Sequence, residues 1–181
     1  MLFRSHPNVA TSLTNLASLY QEMGRPADAL PLNQRALEVY EAALGRDHPN
    51  VATSLTNLAS LYQAMGRVED ALPPQQRALA IQEAALGPHH PSFAVLAFNL
   101  ASLMEKIGRP PEEALLLYQQ CLRIEEAAQG LGHPDAAATV RAVARLLREV
   151  GREAEAGELL ARWRAAGGVE GPAQMEGKPE D

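Results

Sequence analysis

The sixteen residues HPNVATSLTNLASLYQ stand at positions 6–21 and again, unchanged, at positions 48–63. A chain that repeats itself this closely builds its fold from copies of one unit, so the period decides the architecture before any single residue does. The His-Pro pair marks that period, at His6-Pro7, His48-Pro49, His90-Pro91 and His133-Pro134, with intervals of 42, 42 and 43 residues. Gly-Arg keeps step at Gly24-Arg25, Gly66-Arg67, Gly108-Arg109 and Gly151-Arg152. The extra residue of the third interval falls just after Arg109, where PPEEA replaces PADA and VEDA. An insertion there lengthens a connection and leaves the apolar pattern on either side intact.

Each period reads as two helices. Leu13, Leu16, Ala17 and Tyr20 are spaced i, i+3, i+4, i+7, which is one face of an amphipathic helix and the predicted core face. Pro7 suits the first helical turn, where a missing N–H costs nothing, and Gly24 supplies a left-handed stop. The second helix carries Ala29, Leu30, Ala36, Leu37 and Tyr40 and ends near Gly45. Pro31 and Pro73 stand about a turn into that helix, remove one hydrogen bond each, and predict a bent or frayed start. Hydrophobic residues make up 46% of the chain but aromatics only 4%, so alanine and leucine carry the core, as close helix packing favours.

The first two periods share NLASLY, GR, DAL-P, QRAL and EAALG-x-x-HP, and the third returns NLASLM, GR, EAL, QCL and EEAAQG. This set resembles the tetratricopeptide repeat, in the 42-residue form found in kinesin light chains, over about residues 6–166. The fourth copy, HPDAAATVRAVARLLREVGREAEAGELLARW, keeps the helical spacing but loses the asparagine and the tyrosine. The resemblance implies an all-α tetratricopeptide solenoid, a right-handed superhelix of about four helix-turn-helix repeats. Its domain would run over 1–167, with repeats at about 6–47, 48–89, 90–132 and 133–166, before a disordered tail, 168–181, rich in Gly, Pro and Glu. Where the family places a large aromatic in the second helix, this chain has Asn33 and Gln75, then Tyr118 and Leu160; the two amides either reach solvent or leave their layer thinly packed, which predicts lower stability in the first two copies. Trp163, with Glu155, Glu158, Arg162 and Arg164, suggests a terminal helix with one wet face. The chain opens directly on a first helix whose outer side no earlier helix covers, and the expectation is that further repeats stand upstream in a longer parent.

If Leu13, Leu16, Ala17 and Tyr20 face the core, Thr11, Asn15, Ser18 and Glu22 lie on the opposite side, with Thr14 and Gln21 beside them. The resemblance implies that first helices line the concave groove, which puts this polar stripe inside it. The stripe recurs as Thr53, Asn57, Ser60 and Gln63, then as Val95, Asn99 and Ser102. Asn15, Asn57 and Asn99 would form a ladder whose amides hold both the N–H and the C=O of an extended peptide. Members of the family that bind peptides use asparagine at this position. In the fourth copy Ala142 ends the ladder, and Arg141, Arg145 and Arg148 follow at i, i+4, i+7. Arg141 and Arg145 would look into the groove, with Lys106 near its edge, and guanidinium groups favour carboxylates. Asn15, Asn57, Asn99, Ser18, Ser60, Ser102, Arg141 and Arg145 are thus the candidate peptide-binding residues. Two plainer readings stay open: the arginines as a solvated face partly neutralised by Glu149, and the asparagines as residues that merely solvate the groove and were copied by duplication.

Other chemistries find little support. A net charge of −6 repels phosphate backbones and disfavours nucleic acid as a partner. No stretch approaches the roughly 20 apolar residues a membrane span needs, and the opening MLFRSHPN is no secretory signal. The single cysteine, Cys121, replaces Ala36 and Ala78 of earlier copies and reads as a small buried filler; with no internal disulfide possible, a cytoplasmic location is expected. His48, His89, His90 and His133 recur one or two per helix entry without the close i, i+3 or i, i+4 pairs that metal ligation favours, so no metal or other cofactor is expected. Phosphate loops and hydrolase motifs are missing, and no enzymatic activity is predicted. The functional expectation is a non-catalytic protein–protein interaction module that binds an extended acidic segment of a partner. The alternative is a structural oligomerisation or scaffolding arm of a larger multidomain signalling protein, self-associating through the uncovered N-terminal helix without a peptide ligand. No long heptad region, such as kinesin light chains use to meet the heavy chain, stands in this sequence.

Overall fold

A computed structural model describes residues 6–169, and among them the chain forms eight α-helices and no strand. They are α1 (Pro7–Glu22), α2 (Pro26–Leu44), α3 (Pro49–Ala64), α4 (Leu72–Leu86), α5 (Pro91–Lys106), α6 (Pro111–Gln129), α7 (Ala136–Glu149) and α8 (Glu153–Ala165). Each packs chiefly against the helices before and after it in sequence. That pattern is an α-solenoid, in which every hairpin completes its neighbour's core. The expected tail falls almost entirely in 170–181, outside the described residues.

The recurring dipeptides turn out to be the joints. The Nδ1 atoms of His6, His48 and His90 accept hydrogen bonds from the backbone N–H groups of Asn8, Asn50 and Ser92, at 3.2, 3.1 and 3.1 Å. The imidazole therefore caps the helix N-terminus, a task usually left to Ser or Asp, while proline occupies the first turn. His133 makes the same contact with Asp135, but there the helix begins at Ala136, two residues past the proline. At the other joint Gly24 takes φ 71°, where a Cβ would be strained, and Arg25 N–H reaches back to Tyr20 C=O at 2.8 Å to close the helix end. The Arg25 guanidinium then stacks on the Tyr20 ring and pairs with Asp28; Arg67, Tyr62 and Asp70 repeat the arrangement.

The two prolines behave differently. Pro31 is absorbed within a continuous α2, whereas Pro73, followed by Pro74, splits the second copy's helix into a short 3-10 turn (Glu69–Ala71) and α4. One proline removes one hydrogen bond from a helix of 19 residues, but a pair in succession removes two adjacent donors.

The largest core runs from α4 to α8 around Phe93, Leu115, Tyr118, Leu146 and Trp163; smaller clusters serve the first repeats. Asn33 and Gln75 do not reach solvent. Both are buried, Gln75 Nε2 donates a long 3.5 Å bond to Leu96 C=O, and Asn33 Oδ1 has no partner. Trp163 is buried too, beneath the backbone of Gly168, so the terminal helix turns its aromatic inward. A further correction concerns α1. Ala17 is buried and Leu13 and Tyr20 are half-buried, but Leu16 is 43% exposed while its duplicate Leu58 in α3 is only 7% exposed. Leu19 is 56% exposed and its duplicate Leu61 is fully buried. The same sequence buries a second face in α3 because α2 lies against it; no described residue covers that face of α1.

Candidate functional site

The odd-numbered helices are tied to one another along a single side. Gln21 Nε2 of α1 donates to Ser60 Oγ of α3 at 3.1 Å, Lys106 Nζ of α5 donates to Gln63 Oε1 of α3 at 3.0 Å, and Arg145 Nη2 of α7 binds both oxygens of Glu105 in α5 at 2.9 and 2.6 Å. Gln21, Gln63 and Glu105 are equivalent positions in successive copies, and so are Ser18, Ser60, Ser102 and Arg145. A polar contact thus links each successive pair: amide to hydroxyl in the first, ammonium to amide in the second, and guanidinium to carboxylate in the last, where the positions are again those of the first. Such contacts align the polar stripe of one first helix with that of the next.

Clefts open along this side. Asn57 lines one of 330 Å³ between α3 and α5, with Thr53, Thr56, Ser92 and Val95. Asn99 lines an adjoining one with Thr56, Ser60, Gln63, Ser102 and Lys106. Asn15 is exposed on α1 but borders neither. The side-chain amides of Asn15, Asn57 and Asn99 make no hydrogen bond among the described residues. The serines are less free: Ser18 Oγ donates to Thr14 C=O at 3.1 Å, Ser60 accepts from Gln21, and Ser102 interacts with the Tyr118 hydroxyl.

The arginines divide. Arg141, Arg145 and Arg148 rim a mostly apolar cleft whose floor is Ala142, Ala144, Leu160 and Trp163. Arg145 is held by Glu105 and approaches Glu149 at 3.8 Å, and Arg148 pairs with Glu153 at 3.3 Å. Arg141 has no partner among the described residues. Lys106 is engaged by Gln63. Behind this face Tyr118 packs edge-on against Phe98, and burial, followed by the charge of Glu105, pushes its phenol up to about 12. Between α6 and α7, Glu125 Oε1 accepts from Thr139 at 3.2 Å and from Cys121 at 3.3 Å. Burial raises both groups: the Glu125 carboxyl lies above its usual range, and the Cys121 thiol is pushed up to about 12. A thiol so protonated is a poor nucleophile, consistent with a packing role. Among the described residues no group of three or more His, Cys, Asp or Glu side chains gathers to hold a metal, and no helix is long and apolar enough to cross a membrane.

Sequence reasoning missed Glu105, Thr56, Leu160 and Trp163 as parts of this surface. A signal for Glu105 was present: it replaces Gln21 and Gln63 in the one interval where Arg145 replaces serine, and a paired change of charge between repeats marks a contact.

A family model of the tetratricopeptide repeat matches residues 8–84 and 57–124, and a second model of that repeat matches 94–175. Among solved structures, the nearly identical TPR-like repeats of a putative kinesin light chain from Podosopora anserina are similar at 31% identity and a TM-score of 0.75, over 88% of this chain and 75% of that one. BtubC (BKLC) from P. vanneervenii superposes with a TM-score of 0.77 at 21% identity, over 97% of this chain and 72% of its own. MamA protein gives 0.61 at 18% identity over 88% and 74%; at such identities these two share the fold alone. No curated protein sequence matches significantly.

Proposed function

This chain belongs to the tetratricopeptide repeat family, and we propose that it is a non-catalytic interaction module whose odd-helix groove holds an extended, acidic segment of a partner protein. The observation that carries this reading is the pair of unoccupied amides, Asn57 and Asn99, in adjoining clefts that share Thr56. An amide that spends neither donor nor acceptor internally is available for both groups of a peptide backbone. The anionic preference rests on Arg141, the cation of the rim with no internal partner, beside an apolar floor suited to one hydrophobic side chain. Arg145 contributes less than its position suggests, because Glu105 already satisfies it. Such capture needs no cofactor, metal or nucleic acid, and a single buried free thiol suits a reducing, cytoplasmic setting.

Fluorescence anisotropy with labelled extended peptides tests it. Asn57→Ala should weaken binding by about 1 kcal/mol, the usual net worth of one hydrogen bond. Arg141→Ala should weaken acidic peptides alone, and added salt should erase that difference, since screening lengths are about 8 Å at physiological ionic strength. Glu105→Gln should tighten acidic peptides by releasing Arg145. Equal, salt-independent affinity for acidic and basic peptides would remove the electrostatic half of the reading; an unaffected Asn57→Ala would remove the backbone half.

A further inference from the structure

The arginine-rimmed cleft between α7 and α8 lies where the chain leaves the described fold. Val169, the last described residue, lines a small pocket with Arg141 and Trp163, and both of those side chains also line the larger cleft of Arg145, Arg148 and Leu160. The segment that follows, EGPAQMEGKPED at 170–181, holds four acidic residues against one lysine, and its one large apolar side chain is Met175. It does not continue the repeat. By the period of 42 residues the next His-Pro would open at 175, where Met175-Glu176 stands instead, between Pro172 and Pro179. We propose that residues 170–181 are an intramolecular ligand of this cleft, with Met175 on the apolar floor and the flanking carboxylates on the arginines, so that the chain competes with its own partner peptide. The regulation so assigned rests on the acidic-peptide reading of the same site.

Charge, an orphaned donor and reach all favour this occupant. Arg141 has no partner among the described residues, and Arg148 pairs with Glu153, an exposed carboxylate that an incoming one can replace. The indole N–H of Trp163 is buried without an acceptor, against the backbone of Gly168. Leaving such a donor unpaired is costly, and a carbonyl or carboxylate from just past Val169 would satisfy it. The chain leaves at the Arg141 end of α7, beside Ala137, so it meets Arg141, Arg145 and Arg148 in that order. Glu176 lies seven residues beyond Val169, a reach of at most about 25 Å. The arginines cover only about 10 Å of helix.

Tethering through so short a linker sets an effective concentration on the order of 1 mM. For a segment whose own Kd is on the order of 0.1 mM, the cleft is about nine-tenths filled and a competing acidic peptide binds about tenfold more weakly.

A full-length variant carrying Glu170→Gln, Glu176→Gln, Glu180→Gln and Asp181→Asn tests the proposal, since all four positions lie beyond the helices. It should bind labelled acidic peptides about tenfold more tightly than the wild type at low salt. Trp163 is the sole tryptophan, so its single indole N–H resonance reads the contact with no peptide present. That resonance should differ between wild type and variant, and added salt should move the wild-type signal toward the variant's. An identical signal in the two chains overturns the inference and leaves acidic-peptide capture standing. A displaced signal with unaltered peptide affinity overturns the competition, and a displacement that grows with protein concentration overturns the intramolecular assignment. Acidic peptides that bind neither chain refute the functional reading, and the indole comparison then decides by itself whether residues 170–181 fill the cleft.

Discussion

Leu19 and Leu61 occupy the same place in the same sixteen-residue sequence, yet replacing each by alanine should cost very different amounts. Leu61 is fully buried between α3 and its neighbours, so Leu61→Ala loses the transfer energy of the removed methyl groups and leaves a cavity. Buried leucines of this kind cost about 2.7–5 kcal/mol, and about 3 kcal/mol is expected where small neighbours such as Ala17 and Ala29 line the site. Leu19 is 56% exposed and opens to solvent, so a little under half of its transfer energy is at stake and no closed cavity forms; the cost is about 0.5–1 kcal/mol. The difference, about 2 kcal/mol, is unusually clean. Helix propensity, flanking sequence and the unfolded-state reference are nearly the same at both sites and cancel. Urea titration followed by circular dichroism at low micromolar protein reads it directly. The slopes must be compared as well, because repeat arrays can lose cooperativity. Equal destabilisation within about 0.5 kcal/mol would refute the picture of one covered and one open copy.

Asn33→Leu removes a buried carbonyl oxygen that has no partner and installs the residue the fourth copy uses, so the thermal midpoint should rise, by about 1 kcal/mol of stability or more. Glu125→Gln should flatten the pH dependence of stability: the folded carboxyl is raised, so its contribution is complete below about pH 4.5 and is lost as pH rises through the folded value, which urea midpoints from pH 4 to 7 would show. Cys121 should alkylate on the order of a thousandfold more slowly in the native protein than in urea at pH 8, because its thiol is pushed to about 12 by burial and then by Glu125; rapid native labelling, followed by mass spectrometry, would contradict the packing.

The joints of the fold were legible because they are local. A glycine needed at positive φ and a proline tolerated in a first turn state their roles within a few residues; the glycine recurs in each copy and the His-Pro proline opens the helix in the first three. The capping imidazoles were visible only as boundary markers. The candidate site was half legible: periodicity placed Asn57, Asn99 and Arg141 on one side of their helices, but that Glu105 would take Arg145 depends on how far one repeat is rotated against the next.

The sequence by itself determined the unit, its period and the order in which units stack, since each is written in short-range spacing and copied down the chain. Only the tertiary structure decided which copies of a residue are buried. HPNVATSLTNLASLYQ contributes two buried side chains in α1 and seven in α3. Burial belongs to the contact between neighbours rather than to the segment, and among the described residues α1 has a neighbour on one face where α3 has one on two.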